Sequence, residues 1–172
     1  MDRTEWLNRL EALHHDLREG KSLAQVDLAW YRAARGALLE KALEVQALTI
    51  TTGSVPRSSI RIARAAQVQL EARGWSAETV TADLGGGGFA VLLVAPPPVE
   101  EWIKATLHLP GDRPIATTVA VTGQQATGGL VRVAFRFSEP TEEAKRRVED
   151  YLVDSVLEQL VFWDDVLEKL RV

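Results

Sequence analysis

The chain has 172 residues and a net charge of −4, which leaves room for one domain or for a small domain with an accessory segment. The acidic balance argues against a protein that coats nucleic acid through bulk electrostatics, so we expect no DNA or RNA partner. The sequence contains no cysteine, which excludes disulfides and cysteine nucleophiles and is typical of a reducing compartment. With no apolar leader and no apolar run of membrane-spanning length, we expect a cytoplasmic protein without membrane insertion.

Residues 1–49 are predicted to form a helical hairpin. Apolar residues recur at helical spacing in its first half, and Gly20 is suited to end that helix. The stripe of this first helix consists of Trp6, Leu10, Leu13 and Leu17. The predicted buried face of the second helix consists of Leu23, Val26, Trp30, Ala33, Ala37 and Leu38.

Residues 50–138 alternate in polarity or form short apolar runs between glycine and proline turns, which indicates β-strands. Six short strands with tight connections predict a small antiparallel barrel or sandwich. The candidate strands are 66–70, 77–82, 88–94, 105–109, 115–122 and 130–137. Trp102 lies in a stretch that fits either a helix or a strand.

Residues 139–172 are predicted to form one long helix, capped by Ser138 or Thr141, which makes the fold class α+β. Its apolar stripe comprises Ala144, Val148, Leu152, Val156, Leu160, Trp163, Leu167 and Leu170. A helix of this length measures about 45 Å, more than a six-stranded barrel can cover. We therefore expect the helix to pack also on the N-terminal hairpin, on a second copy of the chain, or on both.

The histidines give no sign of catalysis. His14 and His15 are adjacent on a predicted helix and point in different directions, and His108 has no acidic residue near it in sequence. No nucleophile–base pair, metal-ligand cluster or catalytic carboxylate pair can be assembled from spacing. We therefore expect no enzyme, no catalytic residue, no metal site and no cofactor.

A basic segment stands out in this acidic chain. No acidic residue lies between Val45 and Leu70, whereas Arg57, Arg61 and Arg64 all occur there. Arginine binds phosphate through paired donors and recognises guanine through O6 and N7. This segment therefore predicts a site for an anionic, nucleotide-like ligand.

An acidic residue and four glycines follow at the end of a predicted strand. Asp83 is the only acid between Glu78 and Glu100, and Gly85 to Gly88 come directly after it. Glycines let the backbone approach a ligand closely or form a bulged turn. A carboxylate at Asp83 can accept hydrogen bonds from the N1 and N2 donors of guanine.

Together these segments resemble the two-part signature of bacterial PilZ domains, RxxxR followed by (D/N)xSxxG. The first part is Arg57-Ser58-Ser59-Ile60-Arg61 and the second is Asp83-Leu84-Gly85-Gly86-Gly87-Gly88. The Leu-Pro at 109–110 and the segment 131–135 resemble later strands of the family. The RxxxR spacing alone is weak, because Arg132 and Arg136 repeat it as chance allows. Order, spacing and strand context together carry the resemblance.

The resemblance implies cyclic di-GMP as the ligand, held by arginines at its phosphates and guanines and by Asp83 at a guanine edge. Gly85 stands where the family has serine, which costs one neutral hydrogen bond worth about 0.5–1.5 kcal/mol. For Arg64 the sequence leaves open a third ligand contact or a surface strand position. The predicted ligand residues are Arg57, Arg61, Asp83, Gly85 and Gly88, with Ser58 and Arg64 as further candidates.

Two functions remain open at this stage. In the first, the protein is a cyclic di-GMP receptor in which the segment before Arg57 folds over the ligand, so that binding changes a contact made by the helices. In the second, the barrel is a degenerate PilZ scaffold that binds no nucleotide, and the helices dock another protein or form a homodimer. The protein partner itself is not identified by the sequence.

Overall fold

The computed structural model describes residues 1–48, 59–98 and 102–159. Within these ranges the chain forms three helices and seven strands. They belong to two units, a helical one of Met1–Ile60 with Val153–Val172 and a barrel unit of Arg61–Leu152.

The helical unit contains α1 (Arg3–Arg18), α2 (Gln25–Leu48) and the end of α3 (Glu142–Gln159). A capping box begins α1. The Asp2 side chain accepts from the Glu5 backbone N–H, and the Glu5 side chain accepts from the Asp2 backbone N–H. The two predicted N-terminal helices are thus present.

The buried face of α2 differs from the predicted one. Val26 is 72% exposed and Ala33 is also exposed. The residues of α2 that are buried are Tyr31, Ala34, Leu38 and Ala42. The prediction is correct at Leu38 and wrong at Val26 and Ala33, because apolar residues occur on more than one side of this helix and its periodicity admits two phases.

His14 occupies a core position on α1 between the other two helices of the unit. Its Nδ1 lies 2.6 Å from the Tyr31 hydroxyl of α2, and its Nε2 lies 2.9 Å from the Asp154 carboxylate of α3. A neutral ring with its proton on Nε2 donates to the carboxylate and accepts from the hydroxyl, so both nitrogens are satisfied. His14 therefore links three helices through side-chain hydrogen bonds.

We predict that His14→Ala lowers the free energy of unfolding by about 2 kcal/mol, because it removes the hydrogen bonds of the ring to Tyr31 and Asp154 and leaves a buried space. Urea unfolding measures the change. The matched control is His15→Ala, whose side chain is 69% exposed and which should cost less than about 0.5 kcal/mol. Equal effects of the two substitutions would contradict a structural role for His14.

The barrel unit is built from six antiparallel strands and one short additional strand. The strands are β1 (Arg61–Ile62), β2 (Gln67–Ala72), β3 (Trp75–Gly85), β4 (Gly88–Leu93), β5 (Ile103–His108), β6 (Ile115–Thr127) and β7 (Leu130–Ser138). Their order is β1-β3-β2-β5-β6-β7-β4, and β4 pairs back onto β3. Strands β2 to β7 thus close a six-stranded antiparallel barrel, which confirms the predicted α+β fold.

Alternation along the strands fills the barrel. In β2, Val68 and Leu70 are buried whereas Gln67 and Gln69 are exposed. Strand β5 follows the same period, whereas Gly88 to Val91 of β4 are all buried. The largest fully buried side chains of the barrel are Ile62, Val68, Leu70, Leu84, Phe89, Val91, Ile103, Leu107, Val119 and Val133.

All six predicted strands are present, with ends shifted by a few residues. The two-residue strand β1 was not predicted, because two residues carry no period. Trp102 lies just before β5 and is 52% exposed. The predicted linker before Arg57 lies outside the described residues.

The first part of α3 completes the barrel unit. Thr141 caps it, because its hydroxyl oxygen accepts from the Ala144 backbone N–H at 3.1 Å. Arg147 fastens the helix to the β5–β6 loop by donating to the Asp112 carboxylate at 2.9 Å and to the Arg113 carbonyl. The predicted stripe positions 144, 148, 152 and 156 are buried, whereas positions 160 to 170 lie outside the described residues. Among the described helices, none has the length and apolarity to cross a membrane.

Closure of the barrel requires glycine at the start of β4. A Cβ built on Gly88 would lie 2.0 Å from the Phe135 carbonyl oxygen of β7 and 2.9 Å from the Arg136 Cα. Real side chains do not tolerate such distances, so β4 approaches β7 this closely only because Gly88 has no side chain.

We predict that Gly88→Ala lowers the free energy of unfolding by about 3 kcal/mol, because backbone atoms of two paired strands must separate. The control is Gly87→Ala in the adjoining turn, where an added Cβ meets nothing within 4 Å. Thermal or urea unfolding of both variants is the measurement. A Gly88→Ala protein as stable as the Gly87→Ala protein would show that the strands separate at little cost.

Candidate ligand-binding site

A buried threonine, Thr81, positions the link between β1 and β2, which contains Arg64. The Thr81 hydroxyl donates to the Arg64 carbonyl at 2.6 Å and accepts from the Ala66 backbone N–H at 2.9 Å. The Thr81 N–H donates in turn to the Ala66 carbonyl at 2.9 Å. The connection between β1 and β2 is therefore fixed to β3, and β1 pairs with the end of β3 through Arg61 opposite Gly85.

A β-bulge determines where Asp83 points. Thr81 is opposite Val91 and Asp83 is opposite Ala90, so Ala82 is an extra residue between two paired positions. In a regular strand Thr81 and Asp83 would share a face. With the bulge, Thr81 is buried with the interior residues and Asp83 lies on the outer face of the barrel.

Asp83 holds two arginines. Arg61 Nη1 of β1 donates to Asp83 Oδ1 at 2.9 Å, and Arg132 Nη2 of β7 donates to Asp83 Oδ2. The Asp83 side chain is 17% exposed, and the two arginine side chains are about one-third exposed. Charge-assisted hydrogen bonds of this kind are stronger than neutral ones, and partial burial reduces their screening. The carboxylate therefore fixes two guanidinium groups on one outer face.

The same face contains a row of aligned residues across four strands. Arg61 is opposite Gly85, Gly85 is opposite Gly88, and Gly88 is opposite Arg136. Two arginines thus lie at the ends of a row whose middle positions have no side chains. We call this row the glycine strip.

The structure brings together four of the residues predicted for the site. Arg61, Asp83, Gly85 and Gly88 share the outer face where β1, β3 and β4 meet. Arg64 lies in the link between β1 and β2, where its carbonyl accepts from Thr81. The other two predicted residues, Arg57 and Ser58, lie outside the described residues.

Sequence reasoning missed Arg132. In the sequence, Arg132 is only one of two arginines that repeat the RxxxR spacing. Asp83 and Arg132 are 49 positions apart in the chain, and their contact depends on the pairing of β4 with both β3 and β7. The sequence alone does not distinguish this pair from a chance repeat, because the contact with Asp83 depends on the strand order.

The described part of the chain contains no group of three or more histidine and carboxylate side chains arranged to hold a metal ion. The chemistry of the outer face is instead that of hydrogen-bond donation by guanidinium groups. Such a face suits phosphate or the acceptor edge of guanine.

Comparison with known protein families gives a match to the PilZ domain over residues 56–154, more than half of the chain. The chain therefore belongs to the PilZ domain family. A comparison with curated proteins found no match.

Solved structures share the fold. Escherichia coli YcgR in complex with cyclic di-GMP matches with a TM-score of 0.55 and 16% identity, over 66% of this chain and 55% of that one. Bacillus subtilis MotI, an inhibitor of motility, matches with a TM-score of 0.52 and 18% identity, over 63% of this chain and 53% of that one. The K. pneumonia MrkH–cyclic di-GMP complex matches with a TM-score of 0.53 and 18% identity, over 63% of this chain and 56% of that one. The chain spans little more than half the length of each of these proteins.

We predict that Asp83 and Arg132 are energetically coupled. A double-mutant cycle with Asp83→Asn and Arg132→Gln should give a coupling free energy of about 1 kcal/mol or more, since the carboxylate is largely buried. Denaturant unfolding of the four proteins measures it.

The matched control for this cycle is the exposed helical pair of Glu142 and Lys145, with both residues changed to glutamine. Its coupling should be about 0.5 kcal/mol or less. If the Asp83–Arg132 coupling is no larger than that of the control, the carboxylate does not hold the arginine in solution.

Proposed function

We propose that the protein is a non-enzymatic cytoplasmic receptor for cyclic di-GMP, and that binding alters an interaction made by its helices. The observation that carries the proposal is the contact between the two halves of the PilZ signature. Arg61 comes from the first motif and Asp83 from the second, and they lie 2.9 Å apart on one outer face. The complexes of YcgR and MrkH with cyclic di-GMP support the choice of ligand.

In this proposal the arginines bind the ligand. Arg61, together with Arg57 of the same motif, donates to a phosphate and to guanine O6 and N7. A guanidinium group has five N–H donors, so the contact with Asp83 does not by itself prevent Arg61 from binding a ligand. The carboxylate can still accept from guanine N1 and N2, because each of its oxygens has two acceptor sites.

Replacement of the family serine by Gly85 weakens this site without abolishing it. One neutral hydrogen bond is missing, which corresponds to about tenfold in affinity at most. Contacts to charged groups contribute more, and those depend on Arg57, Arg61 and Asp83. We therefore expect a dissociation constant in the micromolar range.

The coupling to a partner is assigned to α3. This helix contributes Glu142–Leu152 to the barrel unit and continues without a break from Val153 into the helical unit. A ligand-dependent change in the barrel therefore has a covalent route to the helices. The change would alter the contact of these helices with a protein partner or with a second copy of the chain.

We predict that the purified protein binds cyclic di-GMP in a calorimetric titration, with GTP and cyclic di-AMP as ligand controls. Arg61→Ala should weaken binding at least tenfold, because it removes a charge-assisted contact. The matched control is Arg73→Ala, which removes the same charge from an exposed position in the β2–β3 turn. The Arg57→Ala/Arg61→Ala double variant should bind too weakly to measure.

If the wild-type protein shows neither heat of binding with cyclic di-GMP nor binding in a competition titration, the receptor function is contradicted. One structural observation would then favour a scaffold without ligand: both oxygens of Asp83 already accept from arginines of the same chain. In that case the function would be protein docking by the helices. Pull-down with the Arg61→Ala variant would then recover the same partner as wild type.

A further inference from the structure

Arg136 lies at the end of the glycine strip opposite Arg61. The two residues are separated by three strand spacings, which corresponds to about 14 Å between their Cα atoms. Only Gly85 and Gly88 lie between them in this row, so no side chain of the row separates the two guanidinium groups. The approach of β4 to β7 at Gly88 brings the Arg136 backbone directly against the strip.

The charges at the two ends are not equivalent. Asp83 partly neutralises Arg61 and also engages Arg132. Arg136 is exposed and makes no ion pair with any residue that the structure describes. Asp83 is opposite Ala90, and Ala90 is opposite Ala134 of β7. Arg136 follows Ala134 by two positions on the same strand. Arg136 is thus a cation close to the site whose donors the carboxylate does not occupy.

We propose that Arg136 is a second anion-binding residue of this site and sets its preference for a ligand with two separated phosphate groups. This rests on the proposed function and adds to it a residue outside the PilZ signature. One phosphodiester lies at the Arg61 end of the strip and the other at the Arg136 end. A guanine mononucleotide has a single phosphate and reaches only one end.

Gly85 acquires a positive role in this arrangement. Gly85 and Gly88 are both buried, and the Arg61 side chain extends from β1 towards Asp83 on β3. A ligand that spans the strip would contact the guanidinium groups at its two ends, with no side chain of the row between them. A serine at position 85 would add a side chain between the two arginines.

The test is a calorimetric titration of wild type, Arg136→Ala, Arg136→Glu and the Arg73→Ala control with cyclic di-GMP and with 5′-GMP. Arg136→Ala should weaken cyclic di-GMP binding by about tenfold to a hundredfold, and Arg136→Glu should weaken it further. The affinity for 5′-GMP, measured by competition, should change less than about threefold, since its phosphate lies at the Arg61 end. Arg73→Ala should change neither affinity. Because Arg136 is exposed, its variants should unfold at the wild-type temperature.

The outcomes separate this inference from the proposed function. If wild type binds cyclic di-GMP and Arg136→Ala binds it equally well, the two-ended site is wrong and the receptor function stands. If Arg136→Ala weakens both ligands equally, Arg136 acts through general charge and does not set specificity. If wild type binds no cyclic di-GMP, both proposals fail.

Discussion

Strand β3 has three partners, and the arrangement of the barrel unit depends on how its far end is shared. It pairs with β2 along much of its length, and near Gly85 it pairs with β1 on one side and β4 on the other. The pairing with β4 closes the barrel, and Gly88 permits β4 to approach β7. Because residues of four strands meet here, side chains remote in sequence share one outer face.

The electrostatics of that face follow from a single carboxylate. Three arginines from β1 and β7 on one face of a small barrel would repel one another without a counter-charge. Asp83 supplies that counter-charge to Arg61 and Arg132 and leaves Arg136 outside the network. The acid is therefore a structural partner of the arginines.

The sequence predicted the barrel well, together with some of the residues that meet on its outer face. Alternation and short apolar runs between turn residues identified all six barrel strands. The phase of α2 was wrong at Val26 and Ala33, since apolar residues occur on several sides of that helix. The motif located Arg61 and Asp83, whereas Arg132 and Arg136 required the pairing of β4 with β7. Strand order is set by long-range packing, which local periodicity does not encode.

The single extra residue at the β3 bulge makes the site sensitive to chain length. Removal of Ala82 would restore a regular strand, in which either Thr81 or Asp83 must change face. The first case loses the anchor of the β1–β2 link, and the second turns a carboxylate into the apolar interior. The number of residues between Thr81 and Asp83 therefore determines the site more strongly than the identity of the exposed residue at position 82.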